Sequence, residues 1–425
     1  MMRNEPGRAL QIFTGLYLAG LMGLFTVLLV PQTGMGIDGK STVFVATWIA
    51  VYFASVLLLV RHPVALRSAD WPIVILLGFV ALSASWSGAP QASLQYAMSL
   101  VANFLFALIV ARHIPVAKLL SILLATIIAM AIGGYLLNRL GMASTTYLDV
   151  HDRFNLLGGQ PIRGLFNHKI TAGFYAGFGL VGTLVLLRGA WRIGIAAFLL
   201  FFIVLTGSSA ALAVLALGLV LLVWMGLARS LRFSPGVFLI ATLSAVAAGI
   251  LAVWLILPDL LMLLNRDPTL TGRTQLWAWG LAIGSEKPVF GWGFFGYFGT
   301  ELAAAQARSI AAFQSWDVPH FHNSYIETFA ELGIVGLTFA VFLPLAALAG
   351  HYRNWLATGS PHEKLMCILL LMTLGAAGIM HVFFKYNDLP TFLLMFAYLT
   401  RRPRAYGARS IPSKRFAAPV LRQAS

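Results

Sequence analysis

The chain has 425 residues, of which 59% are hydrophobic and 10% are charged, and its mean hydropathy is +0.84. A soluble domain averages roughly 25% charged residues, so this composition excludes a soluble enzyme and a disordered chain. The formal net charge is +15, and Cys367 is the one cysteine, which excludes an intramolecular disulfide and a cysteine-based metal site. The sequence therefore predicts a membrane protein with many spans.

Apolar segments of span length recur along the whole chain. A helix needs about 20 mostly apolar residues to cross the hydrocarbon core. We predict an all-α polytopic domain over residues 1–425 with about twelve transmembrane helices. The segments are 9–30, 43–60, 71–85, 93–111, 119–137, 170–187, 193–206, 209–228, 236–257, 334–350, 365–384 and 389–400. Gly207-Ser208-Ser209 interrupts a run that is too long for one crossing, so a tight hairpin is expected there.

The distribution of charge predicts how these segments are oriented. With a cytoplasmic N-terminus, 19 of the 29 Lys and Arg residues and 3 of the 14 Asp and Glu residues lie inside. This agrees with the positive-inside rule, so the charge reflects topology and requires no nucleic acid. Both termini are expected in the cytoplasm, with a basic tail at 401–425 on anionic membrane lipids. No cleavable signal peptide is predicted, because the first apolar run lacks a small-residue cleavage site.

Two long loops on the outer side carry most of the polar chemistry. They cover residues 138–169 and 258–333, and loops of this length are usually functional. Apolar and helical spacing in the second loop predicts short helices at 259–264, 275–283 and 323–332.

The predicted spans contain few ionisable residues, His381 in the segment 365–384 being the exception. Ion-coupled transporters place such residues at mid-membrane. The pattern therefore favours chemistry at the outer face over transport.

Arg163 and Arg273 are the strongest candidates for binding an anion. Arginine binds phosphate through paired N–H groups and stays charged in a partly apolar cavity. Arg163 directly precedes a predicted span, and Arg273 stands between Gly272 and the interfacial residue Trp277. Contact with lipid headgroups or neighbouring acids is the alternative for each.

The best candidate for a general base is His322, because histidine titrates near ~6.5 and works near neutrality. Asn323 beside it could orient the ring or a substrate. The alternative is a helix start, in which Asn323 or Ser324 is the N-cap and Glu327 forms a capping box with Ser324. Both roles are compatible.

Two groups of residues have the donor types that a metal needs. Neither has a second ligand pair at standard spacing, so we predict no metal. The groups are Asp149 with His151 and Asp152, and Asp317 with His320 and His322.

Three stretches of the chain resemble the O-antigen ligase and O-antigen polymerase superfamily of bacterial inner-membrane proteins. The first is Arg163-Gly164-Leu165-Phe166-Asn167-His168-Lys169, before a mid-chain span. The second covers 272–277 and 287–293, and the third covers 322–336. All three lie on the same predicted face of the membrane and in the family's order.

The spacing within these stretches also resembles that family. His322 with Gly333 meets its His-x10-Gly spacing, and Arg153 with Gly164 meets its Arg-x10-Gly spacing. The chain departs from the family at Gly207-Ser208-Ser209-Ala210, where many relatives carry a basic residue. A basic contact from this turn is therefore not expected.

The resemblance implies a GT-C-like, metal-independent, inverting glycosyltransferase without a cofactor, at the periplasmic face of a bacterial inner membrane. Its donor would be an undecaprenyl-pyrophosphate-linked glycan. His322 would deprotonate the acceptor hydroxyl, while Arg163 and Arg273 would stabilise the charge on the pyrophosphate. Arg153 and Lys169 would also bind the pyrophosphate. The residues expected to orient the substrate are Asn323, Tyr325, His320 and His168.

Within the resemblance, the acceptor separates the possible functions. A ligase, which transfers the glycan to lipid A–core, is the first expectation because one late loop dominates. A polymerase, which extends another lipid-linked glycan, is the alternative. A protein-modifying transferase is disfavoured, because no outer domain follows the last predicted span. A lipid-linked glycan flippase would need charged groups along a path through the spans.

Overall fold

The described part of the chain consists mainly of long apolar helices. The computed structural model describes residues 7–30, 41–148, 154–246, 248–249, 272–309, 318 and 320–402. In chain order the helices are α1 (Arg8–Met22), α2 (Leu24–Leu29), α3 (Thr42–Arg61), α4 (Trp71–Leu82), α5 (Pro90–His113), α6 (Val116–Arg139), α7 (Lys169–Leu186), α8 (Gly189–Thr206), α9 (Ser209–Ser230), α10 (Pro235–Val246), α11 (Arg273–Glu286), α12 (Glu301–Ser309), α13 (Ser324–Thr358), α14 (Pro361–Ala377) and α15 (Leu389–Thr400).

In the part of the chain that the structure describes, eight helical stretches are long and apolar enough to cross a membrane. The helices α10 and α15 are shorter but also apolar. Large apolar side chains point outwards from the bundle, as Val60 does with 81% of its surface exposed. Such a surface suits lipid rather than water. The predicted class, an all-α polytopic membrane protein, is confirmed.

The hairpin predicted at Gly207 is also confirmed. Gly207 ends α8 in the left-handed conformation with φ 61°. Ser208 then caps α9, because its Oγ accepts the N–H of Ala211 at 3.2 Å. The two helices therefore meet in a turn of two residues.

The first predicted span, 9–30, is divided at Gly23 into α1 and α2. Gly23 has φ 121°, and a Cβ there would lie 2.1 Å from the backbone nitrogen of Asn167. That nitrogen donates to the carbonyl of Met22 at 3.2 Å. The break is the place where the segment 163–169 packs against the bundle.

His381 lies outside a helix, contrary to its expected place in a span over 365–384. The helix α14 ends at Ala377, and residues 378–388 form what we call the last loop. The hydroxyl of Ser324 fixes this loop, since it donates to the carbonyl of Met380 and accepts N–H groups of Val382 and Phe383. Hydrogen bonds from a distant residue thus replace the helical ones.

The second long loop contains helices, as predicted at two of three places. Helix α11 covers 275–283, and the first part of α13 covers most of 323–332. The segment 259–264 lies outside the described residues. The sequence did not predict α12, whereas α13 joins the predicted helix at 323–332 to the predicted span at 334–350.

This loop has a small apolar core of its own, separate from the core of the helix bundle. Trp279 packs edge-on against Phe321 with ring centroids 5.5 Å apart, and the indole of Trp277 donates to the carbonyl of Phe321 at 3.1 Å. Phe321 is completely buried. The buried members of this core are Leu276, Ile283, Tyr297, Ala303, Val318, Phe321 and Ala330. It holds the backbone between His320 and His322.

Candidate active site

Arg163 lies at the start of the first motif and is 2% exposed. Its Nε donates to the carbonyl of Ser144 at 2.7 Å and its Nη1 to the carbonyl of Asn167 at 3.1 Å. Burial lowers the pKa of Arg163 to about 10, so the side chain stays positive at neutral pH. The next residue, Gly164, has φ 60° and packs against Gly134 of α6. The motif therefore holds a buried positive charge against the bundle.

His168 and Lys169 follow at the start of α7. The Nδ1 atom of His168 accepts the N–H of Ile170 at 3.0 Å and so caps the helix. The Tyr147 ring lies 4.4 Å from the His168 ring and 5.4 Å from Lys169 Nζ. Burial lowers the pKa of His168 to about 3, and Lys169 and then His322 are the next largest causes. The first and second long loops thus meet at His168 and His322.

Arg273 is the first residue of α11, directly after Gly272, which has φ 80°. Its Nη1 donates to the carbonyl of Ile379 at 3.2 Å, which joins α11 to the last loop. Arg273 also lies close enough to His322 to lower the pKa of that ring. The second motif therefore places its arginine beside the histidine of the third.

His322 is half-buried and has φ 53°, a left-handed conformation that costs a non-glycine residue about 1–3 kcal/mol. Its backbone N–H donates to Nδ1 of His320 at 3.2 Å, and the two ring centroids are 4.1 Å apart. Burial lowers the pKa of His322 to about 4, with Arg273 and Lys385 as further causes. At neutral pH the ring is uncharged and able to accept a proton.

Strained backbone collects around this histidine. Phe295 and Phe384 also have positive φ angles, 51° and 52°. The N–H of Phe295 donates to Glu331 at 2.9 Å, and its ring lies 5.6 Å from the ring of His381. Such strain persists only where surrounding contacts enforce it, and it is characteristic of functional sites.

Phe384 precedes Lys385, which carries a positive charge into the site. The last loop is anchored on both sides of this lysine: Tyr386 stacks on Tyr96 at 4.3 Å, and Asp388 accepts the hydroxyl hydrogen of Tyr175 at 2.8 Å. Burial first, and Lys385 among the charges, lower the pKa of His381 to about 3. Lys385 also contributes to the lowered pKa values of His168, His320 and His322.

His320, Glu327 and His381 are arranged closely enough to be considered for a metal. One ligand atom of each lies within 4.8 Å of the others. However, Nδ1 of His320 accepts the N–H of His322, so the neutral ring carries its proton on Nε2. That nitrogen is then a donor, which does not suit a metal ligand. Of the two groups weighed from the sequence, residues 149, 151, 152 and 317 lie outside the described residues.

Asn323 and Tyr325 use their polar atoms within the protein. The Oδ1 atom of Asn323 accepts the N–H groups of Tyr325 and Ile326, and its amide donates to the carbonyl of Gly378 at 2.9 Å. The hydroxyl of Tyr325 donates to the carbonyl of Leu374 at 3.1 Å. Asn323 is therefore the N-cap of α13, one of the two caps predicted; its role and that of Tyr325 toward a substrate stay predictions.

The predicted capping box between Ser324 and Glu327 is wrong. Ser324 bonds the last loop instead, and Oε2 of Glu327 accepts the N–H of Phe321 at 2.6 Å. Glu327 thus holds the backbone before the helix rather than its first residue.

Backbone hydrogen bonds explain why the second and third motifs occur together. Trp292 and Gly293 donate to the carbonyls of Ala330 and Glu331 at 2.9 and 2.8 Å. Gly333, with φ 62° and ψ −160°, interrupts α13 at this point, and a Cβ there would lie 2.2 Å from the carbonyl oxygen of Val289. The spacing between His322 and Gly333 is the length of the helical segment before the break.

The structure brings site residues from three segments together and adds two that sequence analysis missed. His381 and Lys385 were missed because His381 lies in a continuous apolar run. The polar stretch from Lys385 to Asp388, between the last two predicted spans, was the available signal. Arg153 lies outside the described residues. The site consists of His168 and Lys169 with Arg163, of Arg273, His320 and His322, and of His381 and Lys385.

Comparison with known proteins gives three matches. Residues 194–341 match a family model described as O-Antigen ligase. The chain is 26% identical over 367 residues to the exopolysaccharide production protein ExoQ of Rhizobium meliloti, which covers 81% of this chain and 78% of that protein. It is also 27% identical over 118 residues to an uncharacterized protein of Haemophilus influenzae, covering 28% of this chain and 27% of that protein. The residues that the family model matches include Arg273 and His322.

Proposed function

We propose that this chain belongs to the O-antigen ligase and O-antigen polymerase superfamily and transfers a glycan from a lipid pyrophosphate to an acceptor hydroxyl. One observation carries the proposal: His322 is half-buried, strained and uncharged at neutral pH beside Arg273. A neutral base next to fixed positive charge suits proton removal at one end of a reaction and anion release at the other.

In this proposal His322 accepts the proton of the acceptor hydroxyl. The hydroxyl oxygen forms a bond to the anomeric carbon of the donor sugar as the bond from that carbon to the pyrophosphate oxygen breaks. The electron pair of the broken bond leaves with the pyrophosphate. Attack from the face opposite the leaving group inverts the anomeric centre.

Positive side chains stabilise the pyrophosphate in this reaction. Arg273 and Lys385 are the cations that act on the His322 ring, and Arg163 and Lys169 act on the neighbouring His168. Fixed cations near a leaving group act without reorganisation and can replace a divalent ion. We therefore propose a metal-independent step, in which Arg153 is a further pyrophosphate ligand.

The donor in this proposal is an undecaprenyl-pyrophosphate-linked glycan, and the site faces the periplasm of a bacterial inner membrane. The orientation is supported by the excess of Lys and Arg in the loops and tail predicted to be cytoplasmic. A lipid-linked donor also suits polar loops above an apolar helix bundle.

Two acceptors are candidates, and a different observation favours each. The description of the matching family favours O-antigen ligase, for which the acceptor is lipid A–core. The relative named for exopolysaccharide production, which covers 81% of the chain, favours a polymerase that extends a second lipid-linked glycan. The ligase is tested first, and the same assay detects both.

The test combines purified protein with undecaprenyl-pyrophosphate-linked glycan and lipid A–core in detergent with EDTA. Product is measured by gel shift for the wild type, for His322→Ala and for His362→Ala. His362 is the matched control, a half-buried histidine of α14 near the opposite end of the bundle.

A shifted lipid A–core band that His322→Ala loses and His362→Ala keeps supports the ligase. Lengthening of the donor glycan, with lipid A–core unchanged, supports the polymerase. No transfer to either acceptor with competent substrates refutes the enzyme, and transport of the lipid-linked glycan is then tested in vesicles.

A further inference from the structure

Two side chains, Glu327 and His320, hold the backbone N–H groups of Phe321 and His322. The N–H of Phe321 donates to Oε2 of Glu327 at 2.6 Å, and the N–H of His322 donates to Nδ1 of His320 at 3.2 Å. Neither bond belongs to a helix ladder. Both fix the residue whose φ is 53°.

Glu327 is almost completely buried, with 1% of its surface exposed. Its second oxygen, Oε1, is buried without a hydrogen-bond partner in the described residues, and Nδ1 of His381 is in the same condition. One donor or acceptor atom of Glu327, His320 and His381 lies within 4.8 Å of the others. A buried carboxyl oxygen normally has a hydrogen-bond partner, so a polar group is expected to face Oε1.

His320, which has a ligand atom within 4.8 Å of one of Glu327, has the polar hydrogen to face that oxygen. Because its Nδ1 accepts the N–H of His322, the neutral ring has its proton on Nε2. Burial and the nearby His322 ring lower the pKa of His320 well below its ordinary value, which keeps the ring in this neutral form. Its Nε2–H is therefore the group that can approach Oε1 of Glu327.

We propose that Glu327 and His320 form a positioning pair that holds His322 in its left-handed conformation and so aims its ring at the acceptor. The inference rests on the proposed function, since it assigns the base its support. It assigns neither residue contact with the substrate. Glu327 orients His320, and both residues fix the peptide groups before the base.

Removing either acceptor allows φ of His322 to return to the negative region that non-glycine residues prefer. The ring then moves away from its place beside Arg273. A displacement of about 1 Å at a reacting group can cost roughly 100-fold in rate. The effect belongs to kcat, because the cations that bind the donor are unchanged.

Three variants separate the bonds. His320→Asn keeps an acceptor at the position of Nδ1 but lacks the donor toward Glu327, whereas His320→Ala lacks both. We expect kcat to fall about 10-fold in His320→Asn and about 100-fold in His320→Ala, with the donor KM within about 3-fold of wild type. Glu327→Gln keeps an oxygen for the N–H of Phe321 but opposes an N–H to His320, so an intermediate loss of about 10-fold is expected.

Glu331→Gln is the matched control. Glu331 is also a buried carboxyl of α13, one turn later, and it accepts the N–H of Phe295. A loss of kcat in Glu331→Gln equal to that in Glu327→Gln would overturn the proposal, because loss of any buried carboxyl would then explain both. So would wild-type kcat in His320→Ala.

A double variant tests whether the pair acts through the base. In the His322→Ala background, Glu327→Gln should cause no further loss of the residual activity, because the group it positions is absent. A further 10-fold loss would contradict the inference and point to an independent role for Glu327.

A measurement without turnover separates this inference from the proposed function. Diethylpyrocarbonate modifies neutral imidazole, and peptide mass spectrometry gives the rate for each histidine of the full chain. We expect His322 to react at least about 3-fold faster in Glu327→Gln than in wild type, with His362 unchanged. If wild type transfers no glycan but this difference appears, the positioning holds and the function fails; equal rates at His322 in an active protein overturn the positioning.

Discussion

At one end of the bundle His322 is half-buried beside Arg273, whereas at the other end His351 is completely buried against Glu363. The Nδ1 atom of His351 lies 2.6 Å from the Glu363 carboxylate, and its Nε2 lies 3.0 Å from the carbonyl oxygen of Ala397. Both ring nitrogens are thus occupied by protein atoms, and they join α13 to α14 and α15.

The two histidines lie near opposite ends of α13 and differ in the charge that faces them. A carboxylate and a carbonyl oxygen face the ring of His351, whereas the neighbouring cations favour the neutral ring of His322 and leave it able to accept a proton. The exposure of the two rings also differs: His322 is half-buried, as a base that must reach its substrate would be, whereas His351 is completely buried, as a structural link can be. The surroundings, rather than the residue type, separate the two roles.

The largest effect on transfer is expected from replacing His322. His322→Gln should lower kcat by roughly 10²–10⁴-fold, the usual contribution of a general base. The thermal transition in detergent should stay at the wild-type temperature, because the ring is half-buried and its backbone bonds are kept. Transfer at wild-type rates by His322→Gln would refute its role as the base.

Arg273 gives the next largest effect. Arg273→Ala removes a cation near the leaving group and its bond to the carbonyl of Ile379, so kcat/KM should fall about 100-fold. Arg273→Lys restores the charge without the planar group and should recover part of this loss. Steady-state assays with varied donor measure both; equal activity of the Ala and Lys variants would show that charge is not what matters there.

His351→Ala should have the opposite effect to His322→Gln, because it should lower stability and leave transfer unchanged. It removes both bonds of a buried ring, and the free energy of unfolding should fall by about 2 kcal/mol. Thermal unfolding in detergent measures the loss, while transfer below the transition should stay near the wild-type rate. A variant that is stable but inactive would place His351 in the reaction and remove the contrast.

A smaller effect is expected from Lys385. Replacing one partly exposed cation near a pyrophosphate costs about 1 kcal/mol, so Lys385→Met should raise the donor KM roughly 5-fold. Lys385→Arg should restore it. Lys287→Met is the control, because Lys287 packs over the ring of Trp292 at 3.8 Å and is not among the charges acting on His322.

The smallest effect is a shift in the pH profile. A base works only when deprotonated, and the pKa of His322 is lowered to about 4, so kcat/KM should fall as the pH drops through about 4 and be level toward neutrality. Lys385→Met removes a neighbouring positive charge and should move this acid limb to higher pH. A limb that stays in place would show that Lys385 does not act on the base. The groups that face His322 are Arg273 of α11, His320, His168 at the start of α7, and His381 and Lys385 of the last loop.

Local chemistry made part of this molecule predictable from sequence. Gly207 and Ser208 combine a left-handed glycine with a hydroxyl cap, and both effects act within four residues. Asn323 was one of the two caps predicted for α13 for the same reason, and the apolar residues of 275–283 predicted α11.

Long-range contacts account for what was missed. No pattern in the apolar run 365–384 shows that α14 stops at Ala377, because Ser324, more than fifty residues earlier, supplies the hydrogen bonds that end it. The same distance hid His381 and Lys385 from the predicted site. The sequence paired Glu327 with Ser324, the nearest possible partner, whereas Glu327 accepts the N–H of Phe321, which lies before the helix.

The contact between Ser324 and the last loop has a consequence for how the protein is made. A ribosome synthesises His322 before residues 378–388, and until these emerge Ser324 lacks the backbone groups of Met380, Val382 and Phe383 that it bonds. Arg273 likewise cannot donate to the carbonyl of Ile379 until that residue has been synthesised. The backbone contacts that hold His322 and Arg273 in place are therefore completed only once the last loop has been synthesised.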